Sequence, residues 1–369
     1  MSQLRKTVMA LSLLAILVFL SPIAAAPAPE PAPTAPLEKY FPDDANGVVV
    51  FNVKQALSSP VFTKNYQKKV EELLKMDQVQ PWLKDGGFDP LKDIDRIAAV
   101  MAPSGQPMNA PGSGAPLLIV QGRFDLEKFV AKADQIVKDG LGGGIIKSSK
   151  AGEATLYEVG FPFGPTIFIC LVDKNTLMAA PVKDMAVEAL DRAAGRKSAK
   201  MKNPALQKLL EKMDPKQAVN VAFLGEMIVG GGVTTNIKGG GNVTETHTIT
   251  LADQGIEAIQ GSMTIADDIK GKVAISAKNV EKAKELGKII EAGLAQAIKE
   301  GEKEAARMKE LTSVVDMLKT VKTGVKEDTI TLEGQGGPDI IQSLFTSFFF
   351  ARAESRPVPA GAVPPPCPE

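Results

Sequence analysis

Apolar residues enter this chain in two rhythms. Some arrive as short continuous runs, GVVVFNV over residues 47–53, TIFICLV over 166–172 and AVNVAFL over 218–224. Unbroken β-branched runs of that length read as strands. Elsewhere apolar positions recur every three or four residues. Val61, Tyr66, Val70, Leu73 and Leu74 do so within 60–75, and Leu126, Phe129, Val130, Ala133, Ile136 and Val137 do so after Asp125. That spacing predicts amphipathic helices. The same reading predicts strands over 94–101, 116–121, 155–159, 175–180, 256–265 and 272–276, the last two joined by an Asp267-Asp268 turn, and a hairpin within 324–333. It predicts further helices over 182–194 and 204–213, one beginning at Asn279, one over 302–318 and a last one over 338–350. Strands and helices alternate without the βαβ regularity of a parallel sheet. The expected fold class is α+β, with mostly antiparallel sheets and helices packed on one face of each.

The order of elements repeats. Asp125-Leu-Glu-Lys and Asn279-Val-Glu-Lys stand 154 residues apart, and Asn175-Thr-Leu and Asp328-Thr-Ile stand 153 apart. In the first pair Asp125 or Asn279 suits the N-cap, and Glu127 or Glu281 lies in the first turn, where a negative charge suits the helix N-terminus. Two matches at nearly one offset predict two related halves, 37–200 and 201–353.

The flanks have a different character. Arg5 and Lys6 precede a run from Val8 to Leu20 broken by Ser12, and Ala24-Ala25-Ala26 follows Ser21-Pro22. This pattern predicts a signal peptide over 1–25. The alternative, an uncleaved anchor, asks for about 20 apolar residues, more than the run offers. Residues 26–36 (APAPEPAPTAP) predict an extended spacer, and 354–369 a Pro-rich tail. Loss of the leader takes Arg5 and Lys6 from a chain of 43 basic and 43 acidic residues. With no basic excess and aromatics at 5%, neither phosphate neutralisation nor base stacking is favoured, which argues against nucleic-acid binding.

Candidate chemistry is sparse. His247 is the one histidine. As a strand, its surroundings would put Thr244, Thr246, Thr248 and Thr250 on one side and Glu245 beside His247 on the other. No GxSxG elbow accompanies it, so a satisfied strand histidine is the simpler reading. One histidine with two distant cysteines, Cys170 and Cys367, does not make a zinc cluster. A Cys170–Cys367 disulfide is an alternative to a buried Cys170 with a free tail Cys367, and the buried reading is simpler. The glycine clusters 142–144, 230–232 and 239–241 do not lie between a strand and a helix start, as a phosphate loop requires; they read as connections. Asp43-Asp44 and Asp267-Asp268 read as turns, and Asp93 with Asp95 as a strand start. Residues 299–310 mix charge signs at helical spacing and read as a solvated face. Phe345, Phe348, Phe349 and Phe350 either seal the core of the second half or offer a partner or lipid contact; the core is the simpler place.

The leader, the Ala-Pro spacer, Tyr40-Phe41-Pro42-Asp43-Asp44-Ala45 opening onto GVVVFNV, and the repeated halves together resemble large exported bacterial proteins of unknown function with a duplicated α+β region. That resemblance is one of pattern and implies no catalytic residues. The expectation is a non-enzymatic, exported protein, periplasmic or extracellular, with a structural or partner-binding role. No residue is assigned as catalytic, cofactor-binding or metal-ligating, no cofactor is expected, and no membrane span remains after cleavage. The partner is an unknown protein. The alternative is a carrier or sensor of an apolar ligand held between sheet and helices, and a hydrolase is the less favoured third. A cavity lined without charge would favour the carrier, and a tightly packed core the first reading.

Overall fold

A computed structural model describes residues 36–75, 89–102, 116–125, 127–128, 130–131, 134–135, 146–152, 154–160, 166–198, 201–231 and 248–340. The strands are β1 (Gly47–Phe51), β2 (Ile94–Met101), β3 (Leu117–Gly122), β4 (Ile146–Ala151), β5 (Ala154–Val159), β6 (Ile167–Asp173), β7 (Thr176–Ala180), β8 (Val219–Leu224), β9 (Ile228–Gly231), β10 (Thr248–Thr250), β11 (Ile256–Ile265), β12 (Ile269–Ala277), β13 (Lys322–Lys326) and β14 (Thr329–Gly336). The helices are α1 (Val53–Leu57), α2 (Pro60–Asn65), α3 (Gln67–Leu74), α4 (Pro90–Asp93), α5 (Lys183–Ala193), α6 (Pro204–Glu211), α7 (Val280–Ala305) and α8 (Thr312–Thr320). The described residues at 127–135 are helical as well.

Twelve strands form one antiparallel sheet, ordered β13-β14-β12-β11-β8-β1-β2-β3-β7-β6-β5-β4, while β9 and β10 make a separate ribbon. The chain is therefore α+β with a large antiparallel sheet. Near its middle runs the β1–β8 pair, in which Val49 faces Val221. Both segments thus belong to one sheet, with β13 and β4 as its outer strands.

Alternate residues of the central strands feed two cores. Val48 and Val50 join Ala98, Val100, Leu117, Ile119, Ala222 and Leu224 under α5, α6 and Met201. Val49 and Phe51 pack instead with Val221, Phe223, Ile259 and Met263 under α7 and α8. Helices cover both faces, which corrects the one-face expectation. It also explains the unbroken apolar runs: a strand covered on both sides has no polar side to alternate with. The helices interlock across the seam as well. Ala56 and Val61, from α1 and α2, sit in the core formed with β11 and β12. Val61 N–H donates to Ala266 O at 2.9 Å, and Tyr66 Oη donates to Pro338 O at 2.7 Å.

Several boundaries differ from the sequence reading. The strand over 47–53 ends at Phe51: Asn52 adds one more bond to the ladder, its N–H donating to Ala218 O at 2.8 Å, and then stands as the N-cap of α1, which Val53 opens. The helix expected over 302–318 is divided: α7 runs to Ala305 and α8 starts at Thr312. The chain must reverse there because α8 packs back on α7, where a Cβ on Gly301 would lie 2.8 Å from Val315 Cγ2. Strand β4 has the polar sequence IKSSKA and gives no apolar signal. The expected helix over 338–350 falls almost wholly outside the described residues.

Both helix starts are capped as the sequence implies. Lys128 N–H donates to Asp125 Oδ1 at 3.1 Å, and Lys282 N–H donates to Asn279 Oδ1 at 2.8 Å. Beside the second cap, Gly255 adopts φ +77°, and an added Cβ would meet Lys282 Cγ at 2.6 Å. Only glycine combines that backbone with so close an approach.

Buried polar groups tie the N-terminal turn to the sheet. Arg96, Gln121 and Thr176 are cross-strand neighbours on β2, β3 and β7. Arg96 Nε donates to Gln121 Oε1 at 2.6 Å, and the Tyr40 hydroxyl bonds Thr176 Oγ1 at 3.0 Å. Next to this row Arg192, 4% exposed, reaches from α5 to Asp43 and to Glu188 Oε1, the latter at 2.6 Å. Lys202 adds its N–H to Asp43 O at 2.8 Å. Asp43 thus joins the entry to β1, helix α5 and the segment leading to α6.

The hydrogen bond from Arg192 holds the Asp43 carboxyl below its ordinary range. Its stabilisation is therefore complete above the usual carboxylate pKa and is lost as pH falls through the depressed folded value. Removing Asp43 leaves the buried Arg192 with Glu188 as its remaining carboxylate partner, so the loss is partial. Asp43→Asn is expected to lower stability by about 1–2 kcal/mol near neutral pH, with the gap to wild type closing in acid. Urea unfolding across a pH series measures this, and an unchanged midpoint at neutral pH would refute it.

Candidate functional site

Two concave regions stand out among the described residues. The first is a groove of about 600 Å3 over the solvent-facing side of β11, β12 and β14, reaching the end of α8 and the start of β13. The sequence sets its chemistry by simple alternation. On β11, Ile259, Met263 and Ile265 point into the core, so Ser262 and Thr264 between them point out. On β12 the outward residues are Lys270 and Lys272, and on β14 they are Glu333 and Gln335. Register joins them into rows. Ser262 lies opposite Lys272, Lys272 opposite Glu333 and Glu333 opposite Lys322. In the next row Thr264 lies opposite Lys270, and Lys270 opposite Gln335.

The lining holds four lysines, the three in these rows and Lys319, with Glu333 as its acidic residue. Lys272 Nζ pairs with Glu333 Oε1 at 2.6 Å and Lys270 with Asp268 at 3.3 Å. Lys319 turns to Glu302 on α7 at 2.9 Å. The hydrogen bond from Lys272 keeps the Glu333 carboxyl below its ordinary range. Thr320 closes the strand edge beside the groove: its Oγ1 accepts from Gln335 N–H at 2.9 Å. At the far end Thr264 Oγ1 donates to Gln217 Oε1.

The second region, about 380 Å3, lies between α5 and strands β5 and β6. Leu171, Leu190 and Ala193 give it apolar wall, but Lys39, Asp173 and Arg196 line it too. Arg196 pairs with Asp191 at 2.8 Å, and Lys39 Nζ sits 4.6 Å from the centre of the Tyr40 ring. Tyr157, also in the wall, has its hydroxyl pushed up to about 12, by burial first and by the nearby Asp134 carboxylate second.

The acidic pairs weighed in the sequence do not assemble into one site. Asp43 is held by Arg192 and Lys202, while its neighbour Asp44 is exposed. Asp93 ends α4 and accepts from Asp89 N–H at 2.8 Å, whereas Asp95 pairs with Lys54. Asp267 and Asp268 form the β11–β12 turn, 3.7 Å from Lys64 and 3.3 Å from Lys270 respectively. Among the described residues no three His, Cys, Asp or Glu side chains group as metal ligands, and no described helix is long and apolar enough to cross a membrane. His247, Glu245, Cys367, glycines 142–144, 232 and 239–241, and the phenylalanines at 345 and 348–350 lie outside the described residues. Gly230 and Gly231 belong to β9, whose partner β10 begins just after His247.

The groove lysines were missed by the motif search because each is an ordinary surface residue by itself. The signal that could have found them is Lys270-Gly-Lys272 at the start of a strand: alternation puts both amines on one face.

No protein-family model matches the chain, and no curated protein matches it. Among solved structures, that of TP0453 in crystal form I is similar over 85% of this chain and 98% of that one, with 10% sequence identity and a TM-score of 0.42. So loose a likeness carries nothing about role.

Cys170 is fully buried, and that burial pushes its thiol up to about 12. Since the thiolate is the reactive form, Cys170 is expected to resist iodoacetamide in the folded protein at about pH 8 and to react after denaturation. Peptide mapping by mass spectrometry would check this, and rapid labelling of native Cys170 would contradict it.

Proposed function

We propose that this chain is a non-enzymatic exported protein that acts by binding a partner in the cell envelope or outside the cell, and that its two segments derive from one duplicated α+β unit. The observation that carries the binding reading is the lysine-lined groove. Lysine ammonium groups recognise negative charge, and this groove gathers four of them, Lys270, Lys272 and Lys322 from the sheet and Lys319 from the end of α8. The alternative, an apolar-ligand carrier, asks for a cavity free of charge. The cleft beside α5 has Lys39, Asp173 and Arg196 in its lining, which weighs against it.

Strand order supports the duplication. Outward from the seam the sheet runs β1-β2-β3-β7-β6 on one side and β8-β11-β12-β14-β13 on the other. The third strand of each series leads to a helix capped by Asp125 or Asn279. The pair β4–β5 is an addition to the first series, and α8 an addition to the second.

Export rests on the leader-like pattern of residues 1–25. Expressed with its own N-terminus in a bacterial host, the protein is expected outside the cytoplasm with a mass lacking the leader; an intact N-terminus on cytoplasmic protein would refute export. Partner binding is tested by placing a photocrosslinking amino acid at Ser262, in the groove, or at Glu285, on the exposed side of α7, in cells that naturally make the protein. Discrete adducts from Ser262 and few from Glu285 are expected. Equal patterns at both sites, or none at either, would sink the reading.

A further inference from the structure

The groove's charge pattern narrows the kind of partner, an inference that rests on the partner-binding reading above. Lys270 and Lys272 are alternate residues of one strand, so their side chains leave the sheet about 7 Å apart along it. Lys322 and Lys272 lie on either side of Glu333 in one cross-strand row, about 10 Å apart across the sheet. The positive charge is therefore spread over the face. The lining contains no arginine, so the bidentate fork that grips a single phosphate or carboxylate is missing from it. What the pattern matches is a series of separate carboxylates. An extended peptide carries alternate side chains on one face at about 7 Å, the spacing of Lys270 and Lys272.

Two further observations fit such a guest. The lysines' present partners are weakly held: side chains of Lys270 and Asp268 are 61% and 41% exposed, and those of Lys272 and Glu333 are 60% and 57% exposed. Exposed pairs contribute little to stability, so incoming carboxylates replace them at small cost. And the backbone at this end of β14 is not open for strand addition, since Thr320 Oγ1 already takes Gln335 N–H. Recognition here falls to side chains.

We propose that the groove takes an acidic segment of a partner protein in extended form, laid along β12 with carboxylates at alternate residues facing Lys270 and Lys272, and with Lys322 engaging a flanking carboxylate. A flat polar face that meets only water is the outcome to be excluded.

The test titrates the full mature chain against a fluorescent Glu-Ser repeating octapeptide, read by anisotropy. A peptide of the same composition with its glutamates in one block, anionic phospholipid vesicles and inorganic phosphate serve as competitors. The alternating peptide is expected to bind, to outcompete the block peptide, and to weaken at least about tenfold with the K270E/K272E/K322E variant. Affinity is expected to fall as salt rises from about 50 mM to about 500 mM. The variant's circular dichroism should match wild type, since the three side chains are exposed, with a small fall in melting temperature because two new glutamates flank Glu333; K270Q/K272Q/K322Q gives the same comparison without that repulsion, should melt close to wild type and should also weaken binding. No binding by the wild-type chain, equal binding by both variants, equal binding of the block peptide, or displacement by vesicles or phosphate would each overturn the proposal. If the peptide fails while Ser262 still yields adducts, the acidic-strand inference alone is lost. If both fail, the partner-binding reading falls with it.

Discussion

The structure depends on one backbone ladder, the pairing of Gly47–Phe51 with Val219–Phe223. The strands it joins are separated by most of the first segment, so closing it carries a large chain-entropy cost that later contacts must offset. What offsets it is burial on both faces. Val48, Val50, Ala222 and Leu224 go to one core, and Val49, Phe51, Val221 and Phe223 to the other. With burial contributing about 25 cal/mol per Å2 of apolar surface, a strand pair used on both sides gains about twice what a one-sided pair would. The central strands are accordingly where the sequence is most monotonously apolar.

Charges divide by depth. Those inside are committed to architecture: Arg192 to Asp43 and Glu188, Arg96 to Gln121, Lys54 to Asp95. Arg192 and Lys54 hold a loop or helix against the sheet, Arg96 ties β2 to β3, and each is bound to a fixed geometry. Those over β11, β12 and β14 are solvated and exchangeable. The two groups differ in surroundings more than in residue type, which is why a composition balanced between acid and base says so little about where the protein engages anything else.

Much of the architecture was legible. The runs at 47–51 and 219–224 announced strands, and the capping residues Asp125 and Asn279 announced helices at the correct positions. Other features left no mark. Period alone does not say which face of a strand is covered, so the reading of helices on one face failed; the absence of alternation in GVVVF was the clue. Strand β4 was silent because an edge strand with exposed side chains needs no apolar residues. The division between α7 and α8 is a tertiary matter, decided by Val315 seating on Gly301. The groove was least legible of all. Its rows join β11, β12, β14 and β13, whose groove residues lie up to about seventy positions apart in sequence, and become neighbours only through register.

The outer strands complete the account. Among the described residues the twelve-strand sheet ends in two strands with no further ladder partner, each a template on which another copy could extend it. At one end stands β4 with Lys147 and Lys150, at the other β13 with Lys322 and Lys326. A head-to-tail union of β4 on one molecule with β13 on the next would be a heterologous contact that need not close, the geometry of a fibre. It would also bring four ammonium groups toward one new seam. These lysines therefore weigh against growth of the sheet from either edge.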